Sequence, residues 1–199
     1  MSWYDLFSNV YDAALETQSA EQPRIATEAL QRTTGAIVLD VPRGAGQSFG
    51  LLAAGLAGDG RVVGVDMSAG MLHRARARIA RERPSQVSVV QADAARLELA
   101  AIGGSVPTRL QVFPGLSLLP IPSARSPRCG RRVIVDVYAE HPGLQGRMVE
   151  HLANADLRRK FWEALARAGA EYSLTDLPFR WQHRGHIKPA TARKAAPTS

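Results

Sequence analysis

Cysteine is all but absent. The 199-residue chain contains only Cys129, which excludes an internal disulfide and any multi-cysteine metal site. No histidine pair falls at metal-ligand spacing, so a metal centre is not expected. Long apolar runs are missing too: none approaches the ~18 residues of a membrane span. Lysine is scarce, since 22 of the 25 basic residues are arginine. No internal repeat occurs, and no linker divides the chain. The opening segment "MSWYDLFSNVYDAALE" is acidic and helical in pattern, unlike a secretory leader. The expectation is a one-domain cytoplasmic protein long enough to bury a full core.

What the chain has in excess is positive charge, with a formal net charge of +7. The charge is uneven: residues 1–30 hold one arginine against five acids. Two basic concentrations follow. "HRARARIARER" carries Arg74, Arg76, Arg78, Arg81 and Arg83 against Glu82, and the tail from Arg180 to Ser199 has no acid. In an alanine-rich chain this arginine bias reflects GC-rich coding as readily as an anionic partner. Specific nucleic-acid binding is therefore not expected.

The hydrophobic pattern alternates between two periods. Phe7, Val10, Tyr11, Ala14 and Leu15 recur at helical spacing, and a short helix is expected from Pro23 to about Gln31. The continuous apolar run "AIVLDV" (36–41) reads as a strand buried on both faces. "QSFGLLAAGLA" (47–57) reads as a helix, closed by the turn "GDG". "RVVGVD" (61–66) is the next strand, and Ser68 caps a helix whose inner side is Met71, Leu72, Ala75 and Ile79. Pro84 stops that helix before the strand "QVSVVQAD" (86–93). "RLQVF" (109–113) and "RRVIVDVY" (131–138) are two further strands. One long helix is expected over 148–169, then a strand at 170–177 and a poor one at 186–193, interrupted by Pro189. This alternation predicts an α/β fold, a Rossmann-like doubly wound and mostly parallel sheet of about seven strands with helices on both faces. The proline-rich stretch from Val106 to Gly130 breaks the pattern, so the crossover after the fourth strand is expected to be irregular.

Ligands in open α/β sheets bind at the carboxyl ends of the strands. Three acids fall there: Asp40, Asp66 and Asp93. Gly44 and Gly46 let the backbone approach a ligand closely, because they lack a Cβ. Asp66 is placed to accept hydrogen bonds from vicinal ribose hydroxyls. Together these residues describe a pocket for an adenosine-containing molecule. Acids beside the turn are poor company for a pyrophosphate but suit a cationic ligand. S-adenosylmethionine, with its sulfonium and ammonium groups, fits that charge better than a dinucleotide.

At these motifs the chain resembles the class I S-adenosylmethionine-dependent methyltransferases, most closely the small-molecule branch of quinone and phospholipid enzymes. "VLDVPRGAG" stands at the acid and glycine turn, "RVVGVDMSAGMLHRAR" at the second motif and "VSVVQADAARL" at the third. "RRVIVDVY", "RRKFWEALARAGAEYSLTDLP" and the lid-like "YDLFSNVYD" extend the resemblance over roughly residues 3–178. It implies that Asp40, Gly44 and Gly46 hold the methionine portion and that Asp66 takes the ribose. Met67 would pack on the adenine, with Asp93 at its amino group and the Ala94 backbone at its ring. Phe113 would lie near the methyl group, and Tyr11 would close the pocket from the lid. Pro42 and Arg43 depart from the usual glycine turn.

The expected activity is methyl transfer to a small-molecule or lipid-like acceptor. A catalytically impaired binding protein of the same fold is the alternative, followed by an NAD(P)-dependent oxidoreductase and an RNA methyltransferase using the arginine-rich helix. The Asn/Asp-Pro-Pro-aromatic motif of nucleic-acid amino-methylating enzymes is missing, which disfavours the last. No catalytic residue is assigned: His141, His151, His183 and His186 are scattered, and Cys129 lacks a nucleophile's context. The expected organisation is lid helices over 1–31, a cofactor-binding domain over 32–192 and a basic tail over 193–199.

Overall fold

The computed structural model describes residues 21–30, 34–41, 44–56, 58–112, 130–153, 156–168, 170–176 and 186–193. Its centre is a seven-stranded sheet in the order β3-β2-β1-β4-β5-β7-β6. The elements are α1 (Glu21–Ala29), β1 (Ile37–Asp40), α2 (Phe49–Ala54), β2 (Arg61–Asp66), α3 (Ala69–Glu82) and β3 (Val87–Gln91). Two short 3-10 turns, Ala94–Arg96 and Leu99–Ile102, lead to β4 (Arg109–Val112) and β5 (Arg131–Tyr138). The chain continues through α4 (Leu144–Ala153), α5 (Trp162–Ala168), β6 (Ala170–Leu174) and β7 (His186–Arg193). Strands β1 to β5 pair in parallel, whereas β7 runs antiparallel to both β5 and β6.

Alternation along each strand feeds two cores. On one face Val38, Val62, Val133 and Val135 pack with Ala26 and Leu30 of the α1 region, Phe49 and Leu52 of α2, and Ala75 of α3. On the other Leu39, Val63, Val65, Leu110, Val112 and Ile134 pack with Phe161 and Leu165 at α5. Burial on both sides explains why β1 and β2 read as unbroken apolar runs. At the amino end of the sheet, Arg109 Nε donates to the Leu30 carbonyl at 3.0 Å and Arg131 Nε to the Ala29 carbonyl at 2.7 Å. Two guanidinium groups thus satisfy carbonyls that the end of α1 leaves open, on the end where cations suit the helix dipole.

Three sequence expectations need correction. The single helix over 148–169 is two, α4 and α5, with Asp156–Lys160 between them. Asp156 Oδ1 accepts the Arg158 N–H at 3.2 Å, and such local side-chain bonds compete with helix continuation. The strand at 186–193 is not poor: β7 pairs along all eight of its residues with β5. Pro189 is tolerated because its carbonyl accepts the Thr175 N–H at 3.0 Å. In an antiparallel ladder a residue's N–H and C=O point the same way, so the missing N–H faces β6, whose pairing has already ended at Leu174. The helix expected over 47–57 is only the six residues of α2, stopped at Gly55.

Other boundaries agree closely. β2 and β5 span the expected residues, and α3 runs from the Ser68 cap to Glu82, with Arg83 in a left-handed conformation just ahead of Pro84. Within the stretch expected to be irregular, Pro107 is buried and Thr108 bonds through both backbone and side chain to Ile37. The remainder of that stretch, 113–129, lies outside the described residues, as do the N-terminal helix over 1–20 and the residues from 194 onward.

Candidate functional site

The strand order reverses between β1 and β4, which makes that junction the switch point where open α/β sheets take their ligands. Asp40 closes β1 and Asp66 closes β2, while Asp93 comes two residues after the end of β3. Because β1, β2 and β3 are consecutive parallel neighbours, the three acids line one rim. Asp40 is fully buried, and its register partners are Gly64 on β2 and Gln111 on β4.

Between β1 and α2 the chain turns through Gly44 and Gly46, whose φ angles are +55° and +92°. At Gly46 a Cβ would come within 2.9 Å of the Phe49 ring, itself fully buried. Only glycine fits there. At Gly44, by contrast, a Cβ would meet nothing within 4 Å, so that part of the turn borders open space. Pro42 and Arg43, immediately before it, lie outside the described residues.

Asp66 ties the turn to the sheet. Its Oδ2 accepts the Gly44 N–H and its Oδ1 the Ser68 N–H, both at 2.8 Å. The carboxylate is half-buried and retains further lone pairs after accepting these two bonds. Ser68 then starts α3, its Oγ accepting the Met71 N–H at 3.2 Å. The backbone around Met67 is held firmly: Ala92 N–H donates to the Asp66 carbonyl and Gln91 Nε2 to the Met67 carbonyl, each at 3.1 Å. The Met67 side chain itself is 62% exposed, unusual for so large an apolar group. It offers a flat partner an apolar surface at the rim.

Asp93 is half-exposed and stands 3.9 Å from the guanidinium of Arg96, a largely exposed side chain. Its carbonyl accepts the Arg96 N–H at 3.0 Å, closing the turn that Ala94 opens. Seven expected site residues therefore gather at one end of the sheet: Asp40, Gly44, Gly46, Asp66, Met67, Asp93 and Ala94. Tyr11 and Phe113 lie outside the described residues. His141, His151 and His186 are exposed, and His183 lies outside. Among the described residues no group of three side chains could hold a metal ion, and no helix is long and apolar enough to cross a membrane.

Sequence reasoning overlooked two glutamines. Gln91 holds the Met67 carbonyl, and Gln111 is fully buried beside Asp40. The available signal for Gln111 was one polar residue inside the apolar strand "RLQVF". A second cluster also went unread at the carboxyl end of β5. Tyr138 meets Trp162 edge-on with ring centroids 4.8 Å apart, and the Lys188 ammonium lies 5.7 Å and 5.2 Å from those two rings. Asp176 pairs with the same ammonium at 2.9 Å.

Comparison with known proteins bears on the domain and its fold. Residues 38–107 match the family model of a methyltransferase domain. No curated protein matches the chain in sequence. Among solved structures, phosphoethanolamine N-methyltransferase 2 of Haemonchus contortus, in complex with S-adenosyl-L-methionine, superposes with a TM-score of 0.70 at 14% identity, over 89% of this chain and 53% of its own. The chain thus spans about half the length of that enzyme. Geranyl diphosphate C-methyltransferase of Streptomyces coelicolor A3(2), solved with S-adenosyl-L-homocysteine, gives a TM-score of 0.68 at 14% identity over 88% and 76% of the two chains. The N-terminal domain of EvdMO1 with SAH bound gives 0.64 at 17% identity over 90% and 82%. Residues 38–107 carry the sequence signature of a methyltransferase domain, and the chain has the Rossmann-like fold of the class I S-adenosylmethionine-dependent methyltransferases.

Proposed function

We propose that the chain binds S-adenosylmethionine at the rim formed by β1, β2 and β3 and directs methyl transfer to a small-molecule or lipid-like acceptor. The observation that carries this reading is the Asp66 carboxylate, which fixes the glycine turn through Gly44 while remaining half-exposed at the switch-point end of the sheet. The residues present suit the ligand. Open space at Gly44 admits close backbone approach, and the carboxylates of Asp40, Asp66 and Asp93 complement the cationic groups of a ligand that has no phosphate for them to repel. The antiparallel β7 supports the same choice, because dinucleotide-binding sheets of the 3-2-1-4-5-6 order are built from parallel strands.

In this reading Asp40 and the backbone at Gly44 and Gly46 hold the methionine portion. Asp66 accepts from the ribose, and Met67, Asp93 and the Ala94 backbone border the adenine. Phe113 lies near the methyl group, and Tyr11, in lid helices spanning 1–31, closes the pocket. Residues 32–192 form the cofactor-binding domain. S-adenosylmethionine supplies an activated methyl group on a sulfonium, so the protein's task is alignment and exclusion of water. The aromatic surface of Tyr138 and Trp162, at the carboxyl end of β5, flanks the acceptor side. The names of the Haemonchus and Streptomyces proteins, which act on phosphoethanolamine and geranyl diphosphate, support a small acceptor.

The test is turnover with methyl-labelled S-adenosylmethionine over phosphorylated amines, isoprenoid diphosphates and quinols. Label in one acceptor class at ordinary enzyme rates supports the reading. Binding without transfer to any class indicates a methyltransferase-fold binding protein.

A further inference from the structure

The amino end of the sheet, opposite the rim of acids, carries a row of arginines. Arg109 opens β4, Arg131 opens β5 and Arg193 closes the antiparallel β7. They are register partners in turn, Arg109 with Arg131 and Arg131 with Arg193. Level residues on neighbouring strands share a face at a spacing of about 4.8 Å, so the row spans roughly 10 Å. That face is the α1 side, because Arg109 and Arg131 each donate through Nε to a carbonyl at the end of α1. Arg109 and Arg131 are half-buried and Arg193 is exposed, so the row meets solvent.

Like charges directly opposite one another on adjacent strands destabilise a sheet. The α1 carbonyls account for one N–H of Arg109 and one of Arg131, whereas a guanidinium has five to give. Among the described residues Arg131 makes no other side-chain bond. Arg193 pairs instead with Glu171 on β6, at 3.2 Å, and that is the one carboxylate paired with either arginine among the described residues. Arg132 adds a further cation one residue on, its buried Nε without a partner among the described residues. Such a row suits an anion long enough to span it. A planar guanidinium holds two phosphate oxygens at once, and two or three linked phosphates reach from one guanidinium to the next.

We propose that Arg109, Arg131 and Arg193 form a binding site for a small oligophosphate, at the end of the sheet remote from the methyl-transfer rim. The bound anion offsets the repulsion along the row and ties together the ends of β4, β5 and β7. The site uses no residue of the rim, so it stands apart from the reading of that rim.

The experiment titrates the wild-type chain calorimetrically with tripolyphosphate and with cytidine triphosphate at physiological ionic strength. It is repeated on Arg131→Gln, Arg193→Gln and, as a control, Arg76→Gln at an exposed position of α3. Wild type should bind tripolyphosphate saturably at one site per chain. Arg131→Gln and Arg193→Gln should each bind about ten-fold more weakly, the effect of losing one charge-assisted hydrogen bond, while Arg76→Gln binds as wild type does. Equal affinity for the two probes assigns the site to the phosphate chain alone, and tighter binding of cytidine triphosphate assigns it to a nucleotide. Arg193 is exposed and pairs with Glu171 rather than α1, so its variant tests the row even if Arg131→Gln fails to fold. The proposal is overturned if wild type shows no saturable binding, if Arg193→Gln binds like wild type, or if Arg76→Gln loses as much.

Discussion

Replacing Asp66 by asparagine changes one atom and separates the two roles of this carboxylate. In the native chain each oxygen accepts a backbone N–H at 2.8 Å, one from Gly44 and one from Ser68. An asparagine has one acceptor oxygen and an NH₂ donor. Whichever way its amide turns, one backbone N–H is left facing a donor. A hydrogen bond to a charged group contributes roughly 1.5–3 kcal/mol; discounted for a half-exposed site, the loss should be about 1–2 kcal/mol. For a domain of this size that corresponds to a fall in melting temperature of roughly 2–8 °C. The variant also retains at most a weakened acceptor for ribose hydroxyls, so S-adenosylmethionine affinity should drop by a further ten-fold or more, about 1.4 kcal/mol per factor of ten. Scanning calorimetry without ligand reads the first effect and titration reads the second. Asp66→Ala, which removes both acceptors without adding a donor, serves as the comparison. An unchanged melting temperature would mean that the Gly44 bond is not made in solution, and unchanged affinity would remove Asp66 from the ligand site.

Other expected outcomes follow from the same geometry. Gly46→Ala should destabilise by roughly 2–4 kcal/mol, combining a positive φ with overpacking against Phe49, whereas Gly44→Ala should cost only about 1 kcal/mol in stability while weakening ligand binding; urea unfolding and titration together distinguish them. Ser68→Ala should cost about 1 kcal/mol by removing the cap of α3, read as a shift in urea midpoint with no change in its slope. Binding of RNA or DNA through the arginines of α3 should be weak and collapse steeply with salt; submicromolar affinity at physiological ionic strength would contradict this.

Where the sequence carried local signals at both ends of an element, it located that element well. β2 lies between the "GDG" turn and the Ser68 cap, and α3 between that cap and Pro84, so neither boundary depended on tertiary contacts. The rim was legible for the same reason: Asp40, Asp66 and Asp93 each end or follow an apolar run, and strand ends are where such folds place ligands. β7 was harder, because Pro189 argues against a strand until its register shows that the lost N–H falls beyond the end of β6. The break between α4 and α5 carries a local side-chain bond at Asp156 and a long-range one in which the Leu157 carbonyl accepts the Ala139 N–H, and the second has no local signal. Gln111 was illegible for another reason. Its place beside Asp40 comes from pairing between strands whose partners lie 71 residues apart in sequence, and a pairing of that range leaves no local pattern.

The central claim is that the rim takes S-adenosylmethionine rather than a phosphate-bearing dinucleotide. Calorimetric titration of the wild-type chain with S-adenosylmethionine and, separately, with NADP tests it most directly. The account predicts saturable binding of S-adenosylmethionine at one site per chain and no detectable heat with NADP. Saturable NADP binding with none for S-adenosylmethionine would contradict it.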